Sequence, residues 1–211
     1  VNDNGVVDTP MRTFSGHSKP VRRVFVSGDY LFTASFDNTA KMWDINATVN
    51  DNGVVDTPMR TFSGHSDRVL SVFVSGNHLF TTSNDDTAKM WDISTGDEVR
   101  TFSGHSHNVN NVFVSGDYLF TSSIDTNVMM WDADPSSGNF GSLIRTFEGK
   151  GNSSQDSWVF SVFVSGDYLF TGSYGGTAKM SLIPEFKTFT ITHNSGSGAV
   201  SYTHLTLPTK A

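Results

Sequence analysis

His17, Ser35 and Asp37 are the residue types that nucleophilic hydrolysis needs: a hydroxyl, a base to take its proton and a carboxylate to orient the base. The same set returns as His65, Ser83 and Asp85, and again as His105, Ser123 and Asp125. Each set is followed by a Trp: Trp43, Trp91 and Trp131. A reaction needs one active site, whereas this constellation occurs three times at nearly constant spacing. No G-x-S-x-G element accompanies it. Repetition points to a framework role: the carboxylate orients the imidazole, the hydroxyl links ring to ring, and the indole N–H finds a buried acceptor. The competing reading is a hydrolase using His17, Ser35 and Asp37.

The elements that position these residues are repeats. Gly16–Asp44, Gly64–Asp92 and Gly104–Asp132 share Gly-His, V-F-V-S-G and a closing Met-Trp-Asp, and a degraded copy runs from Gly149 to Ser181. The glycines of V-F-V-S-G are Gly28, Gly76, Gly116 and Gly166, at steps of 48, 40 and 50 residues. Val21–Val26, Tyr30–Ser35 and Thr39–Trp43 alternate as short strands, separated by turns at Ser27-Gly28-Asp29 and Asp37-Asn38. Met11–Phe14 reads as one more strand. A single antiparallel sheet of this kind cannot bury both faces, so the repeats must stack.

Gly-His, followed some two dozen residues later by Ser-x-Asp-x-Thr-x-Lys-x-Trp-Asp, resembles the WD-repeat β-propeller family over residues 11–181. The V-S-G-D-Y-L-F-T-x-S turn is most similar to propellers of F-box proteins, ubiquitin-ligase scaffolds and myosin-heavy-chain kinases. The resemblance implies an all-β fold of about four four-stranded antiparallel blades, an arc of a larger ring. Blades are expected near 15–62, 63–102, 103–147 and 148–189, with 1–14 as the tail of a preceding blade. It also implies that His17, Ser35, Asp37 and Trp43 and their counterparts form hydrogen-bonded tetrads.

The fourth unit departs from the pattern. Gly149-Lys150 replaces Gly-His, the turn within 151–157 is longer, Gly175 stands for the Asp and Ser181 for the Trp; of the tetrad only Ser173 remains. Packing of Val162, Val164, Leu169, Phe170 and Met180 is expected to hold this blade, and to leave it the least stable. Lys187-Thr188-Phe189 resembles the Arg-Thr-Phe that opens other units, so 187–199 could begin a fifth. Val200–Thr209, V-S-Y-T-H-L-T-L-P-T, resembles a translated transposase-library sequencing adaptor, and 200–211 are expected to be a non-native tail.

Function is sought where the repeats differ. Pro20 and Arg22, Arg68 and Leu70, Asn108 and Asn110, Trp158 and Phe160 flank the strand-opening Val; Phe36, Asn84, Ile124 and Tyr174 precede the tetrad Asp or its replacement. In the resembled family these positions lie on one rim. Side chains that vary on a constant frame suit recognition, and Arg and large aromatics suit hot spots. Lys19, Arg22, Arg23 and Arg68 form a basic group on a chain of net charge −7, which favours an acidic or phosphorylated peptide over nucleic acid.

The expected activity is therefore a non-catalytic scaffold for other proteins or peptides, without cofactor, metal, membrane or small-molecule substrate. An alternative is the substrate-recognition module of a ubiquitin ligase or kinase. The absence of Cys fits a cytoplasmic or nuclear setting. The Asn50, Asn52, Gly53, Asp56 spacing is close to a Ca²⁺ loop, but Thr48 and Met59 fill ligand positions, and a solvated turn is the better reading.

Overall fold

The computed structural model describes residues 10–149 and 157–184, and the backbone pairing of 187–195 and 198–206. The expectations for residues 1–9, for the turn at 150–156 and for the last residues of the 200–211 segment lie outside the described residues.

Every described element is a strand. β1 (Thr13–Phe14) is followed by β2 (Val21–Ser27), β3 (Tyr30–Ser35), β4 (Thr39–Asp44), β5 (Val54–Val55) and β6 (Arg60–Ser63). Strands β2-β3-β4-β6 form the first antiparallel sheet, and β1 pairs in parallel with β5. The second sheet is β7 (Val69–Ser75), β8 (His78–Ser83), β9 (Thr87–Asp92) and β10 (Glu98–Ser103). The third is β11 (Val109–Ser115), β12 (Tyr118–Ser123), β13 (Asn127–Asp132) and β14 (Leu143–Glu148). The fourth has three strands, β15 (Val159–Ser165), β16 (Tyr168–Ser173) and β17 (Ala178–Leu182). β18 (Lys187–Ser195) and β19 (Gly198–Thr206) pair only with each other among the described residues.

The strands end where the sequence supplies turns. Gly28, Gly76, Gly116 and Gly166 each take a positive φ between the first and second strands, at 57°, 55°, 57° and 54°. The next turn needs the same left-handed residue and is filled less uniformly: Asn38, Asp86, Thr126 and Gly176, with φ of 70°, 66°, 79° and 71°. Asn and Asp tolerate this region, whereas a β-branched Thr is strained in it. Thr126→Asn is expected to raise stability by about 1 kcal/mol, read as a higher urea midpoint with an unchanged slope.

The sheets stack face to face, and each joint repeats the same apolar contacts. Phe32, Ala40, Met42 and Phe62 of the first sheet pack on Val69, Val72 and Leu79 of the second. Phe80, Ala88, Met90 and Phe102 pack on Val112, Val114 and Leu119, and Phe120, Val128 and Met130 on Val159, Val162, Val164 and Leu169. Along the first strands runs a ladder of phenylalanines, Phe25, Phe73, Phe113 and Phe163, with ring centroids 5.0, 5.1 and 4.7 Å apart.

The core of the fourth sheet differs from expectation. Val162, Val164 and Leu169 are buried, but Phe170 and Met180 are 38% and 64% exposed. They sit on the face that would meet a following sheet, and among the described residues nothing packs there.

Candidate functional site

The repeated polar residues build a relay in each of the first three sheets. The turn after β6 brings His65 down beside the second sheet. Its Nδ1–H donates to Asp85 Oδ2 at 2.7 Å, and its Nε2 lies 2.8 Å from Thr81 Oγ1. Trp91 Nε1–H donates to the same hydroxyl at 2.8 Å. His17, Asp37, Thr33 and Trp43 repeat this arrangement, as do His105, Asp125, Thr121 and Trp131. Proton assignment follows from what each group can give: indole N–H to Thr hydroxyl, hydroxyl to neutral imidazole, imidazole N–H to carboxylate.

This corrects the tetrad read from the sequence. The hydroxyl between the rings is Thr33, Thr81 or Thr121, and not Ser35, Ser83 or Ser123. The serines act one residue pair further along the strand. Their Oγ atoms donate to the carbonyls of Lys19, Asp67 and His107 at 3.0, 3.0 and 2.9 Å, and accept the amides of Asp37, Asp85 and Asp125. They lock the turn that holds the carboxylate. In the fourth sheet Thr171 occupies the linking position without an indole beside it, and Ser173 Oγ reaches Thr177 instead.

The glycine of each Gly-His is set by the indole. A Cβ on Gly64 would stand 3.0 Å from the Trp91 ring, and one on Gly104 2.9 Å from that of Trp131. Electrostatically, Asp37 is held at about 2: burial pushes its pKa up, but the Thr39 hydroxyl, the His17 ring and the Ser18 amide outweigh it. Asp85 and Asp125 are lowered against burial, mainly by bonds from His65 and His105. Burial lowers the pKa of His17 despite the opposing pull of Asp37. These are paired, inward-facing groups. The nucleophile–base contact of a hydrolase is not formed, since both His17 nitrogens are engaged elsewhere and Ser35 is fully buried.

The variable positions come together differently. In every sheet the residue before the strand-opening Val is hydrogen-bonded to the one before the tetrad Asp position. The amides of Phe36, Asn84, Ile124 and Tyr174 donate to the carbonyls of Pro20, Arg68, Asn108 and Trp158 at 3.0, 3.0, 3.2 and 3.0 Å. The third member, Arg22, Leu70, Asn110 or Phe160, falls in a β-bulge of the first strand, where the register skips it. A bulge leaves its residue outside the ladder and re-aims the side chain. The sequence carries one signal of it, an interval of three between Val69 and Val72 where alternation requires two.

Neighbouring sheets then join these residues. The Arg68 guanidinium lies 5.0 Å from the centroid of the Phe36 ring, and Asn110 Nδ2 donates to the Val159 carbonyl at 3.0 Å. In the fourth sheet Tyr174 packs against Trp158 and Phe160, with centroids 5.6 and 6.0 Å apart. Pro20, Arg22, Arg68, Phe160 and Tyr174 are exposed, and Leu70, Asn84, Asn108, Asn110, Ile124, Phe36 and Trp158 are half-buried. Among the described residues Lys19, Arg22, Arg23 and Arg68 form no ion pair.

At the opposite ends of the strands two clefts open between sheets. One, of 540 Å³, lies beside Tyr30, Met42, Met59 and Asn77, and one of 380 Å³ beside Tyr118, Met130 and Pro184. At the middle joint Phe140, from the long loop after β13, packs on Phe102 in the corresponding place. In the loop that resembled a Ca²⁺ site, Asn50 Oδ1 accepts the amides of Asn52 and Val54. No cluster able to hold a metal exists among the described residues.

Stacked four-stranded sheets with their first strands side by side define a β-propeller arrangement. The WD domain, G-beta repeat family matches residues 8–44, 56–92 and 96–132. The chain therefore belongs to the WD40-repeat family. Its fold is similar to the computationally designed Ika4 protein (TM-score 0.69, 22% identity, 84% of this chain and 99% of that one). It is likewise similar to the designed Ika8 protein (TM-score 0.67, 22% identity, 82% of this chain and 49% of that one). The WD40 β-propeller domain of Doa1 superposes with a TM-score of 0.64 at 26% identity, over 78% of this chain and 51% of that one. The chain thus spans about half the length of two of these structures. No match was found among curated proteins.

Proposed function

We propose that this chain is a protein-interaction scaffold that grips acidic or phosphorylated segments of partner proteins with its bulge and turn residues. Propellers of the WD40 family typically serve as platforms for other proteins, which supports the class. The observation that carries the finer reading is the bulge. Each sheet presents one residue outside the ladder beside two more, and these differ from sheet to sheet while the frame around them repeats. The first two sheets supply Lys19, Arg22, Arg23 and Arg68, with Arg68 over the Phe36 ring, and none of the four forms an ion pair among the described residues. Guanidinium groups suit carboxylate and phosphate through bidentate bonds, and an aromatic wall beside them excludes water.

Trp43, Trp91 and Trp131 are buried, so Trp158 is the indole of the four best placed to report on a ligand at this rim. Fluorescence titration with a phosphorylated peptide and its unmodified form is expected to show tighter binding of the former. Arg22→Ala and Arg68→Ala should each weaken it about tenfold, corresponding to about 1.4 kcal/mol. Equal affinity for both peptides, unchanged by either substitution, removes the phosphopeptide reading.

A further inference from the structure

We propose that the cleft between the first and second sheets, at the strand ends opposite the bulges, takes one aromatic side chain of a partner segment that carries Lys or Arg beside it. The cleft has a volume of 540 Å³ and is walled by Phe32, Met42 and Met59 on one side and by Val74 and Ile93 on the other. Both sheets have all four of their strands, so the cleft is internal to the stack. Tyr30 and Met59, which also line it, are 37% and 54% exposed.

The kind of side chain it takes is seen one joint further on, where the chain supplies the occupant itself. The loop after β13 lays Phe140 against a cluster that holds Phe80, Met90, Val114 and Ala133. These are the counterparts of Phe32, Met42, Val74 and Ile93 in the repeat. The Phe140 ring meets Phe102 edge-on, with centroids 6.5 Å apart, and the Arg100 guanidinium lies 5.3 Å from its centroid. Arg100 Nη2 also donates to the Phe140 carbonyl at 2.7 Å, which anchors the loop. At the first joint Arg60 stands for Arg100, opposite Met42 as Arg100 is opposite Met90. It anchors the shorter loop 93–97 in the same way, through the Ser94 and Thr95 carbonyls. Thr95 precedes Gly96 as Phe140 precedes Gly141, and the two glycines share a positive φ of 87° and 84°. The first joint thus has the same anchored turn with a hydroxyl in place of the ring, and residues 93–97 contain no aromatic. A ring for this cleft comes from a partner.

The charges around the cleft select the neighbours of that ring. Asp92 lines it, and Asp29 and Asp44 adjoin Tyr30, the first beside it in the hairpin and the second across the pairing with β4. None of the three forms an ion pair among the described residues. The cations nearby are turned onto backbone, Arg60 onto the loop 93–97 and Arg12 onto the Ala47 carbonyl. Three unpaired carboxylates favour a basic segment and disfavour an acidic one. The bulge rim, with Lys19, Arg22, Arg23 and Arg68, has the opposite preference, so the two ends of the strands sort partners by charge.

The test uses the full chain, isotope-labelled at its methionine methyls, and the capped peptide Lys-Phe-Gly-Lys as probe. The Met42 and Met59 signals are expected to move and saturate, and that of Met90 to stay. Ala in place of the peptide's Phe should weaken binding about 10–100-fold, the contribution of one buried ring. Glu in place of both Lys should weaken it about tenfold at low salt. Thr95→Phe should plug the cleft from the chain's own loop and abolish the Met42 and Met59 response. Phe140→Ala should uncover the seat at the middle joint and bring Met90 into the response, with Met42 and Met59 still responding. The proposal is overturned by the absence of a saturable shift at Met42 and Met59, by equal binding of the Phe and Ala peptides, or by tighter binding of the Glu peptide. A Met42 response that persists in Thr95→Phe, or a Met90 signal that stays unmoved in Phe140→Ala, overturns it equally.

Discussion

Trp91→Ala is expected to destabilise the chain by about 3–5 kcal/mol, the cost of a large cavity combined with a severed relay. Trp91 is buried at the joint between the first two sheets, where it packs with Phe62, and its N–H terminates the Thr81–His65–Asp85 chain. Thr81→Val separates the polar part from the packing part, because it preserves shape while removing the shared hydroxyl. The indole N–H and His65 Nε2 would both be left unpaired in a site that is closed to water, at about 2–4 kcal/mol together. Ser83→Ala should cost less, about 1–2 kcal/mol, because it loosens the turn without opening the ring-to-ring link. Urea denaturation of the three variants gives the order directly. If Ser83→Ala proves costlier than Thr81→Val, the relay runs through the serine after all.

Acid should unfold the chain in two stages. His17 is held below its ordinary 6.5, so the folded state binds its proton less readily than the unfolded chain does. That contribution is complete above pH 6.5 and is lost as pH falls from there through the lowered folded value. Asp37 is depressed from 3.8 to about 2, so its contribution is intact above about pH 4 and disappears as pH falls through 2. For a group this enclosed the loss is on the order of 2 kcal/mol. Asp85 and Asp125 are depressed in the same way and add to the second stage. Urea midpoints at pH 7, 5 and 3 should fall steadily. Asp85→Asn should start lower at pH 7 and show a flatter decline, and an unchanged slope in that variant would show that its carboxylate is not part of the acid response.

Much of this architecture was readable from the residue order. Alternation of period two, broken by Gly28 and its counterparts, is enough to mark strands and hairpins, and repetition is enough to imply stacking. The identity of the linking hydroxyl was not readable, and the reason is geometric. Thr33 and Ser35 are two apart on one strand and so share a face; periodicity cannot separate them. Only depth within the sheet decides which one meets the indole. The Phe ladder was hidden for a related reason. In V-F-V the valines announce the packed face, and nothing in the pattern tells whether the Phe between them meets solvent or the next sheet. The exposed Phe170 and Met180 mark the opposite limit, since an apolar residue in a strand signals a buried face but not what buries it.

The bulge in each first strand separates two kinds of information in one polypeptide. The register skips its residue, and the four sheets hold a cation, an aliphatic, an amide and an aromatic there: Arg22, Leu70, Asn110 and Phe160; of these, Asn110 also bonds the next sheet through the Val159 carbonyl. The molecule is in this respect a frame that carries chemically unlike side chains at one backbone position, and substitution of Arg22, Leu70 or Phe160 is expected to leave the fold intact, whereas Asn110→Ala removes a bond between the third and fourth sheets.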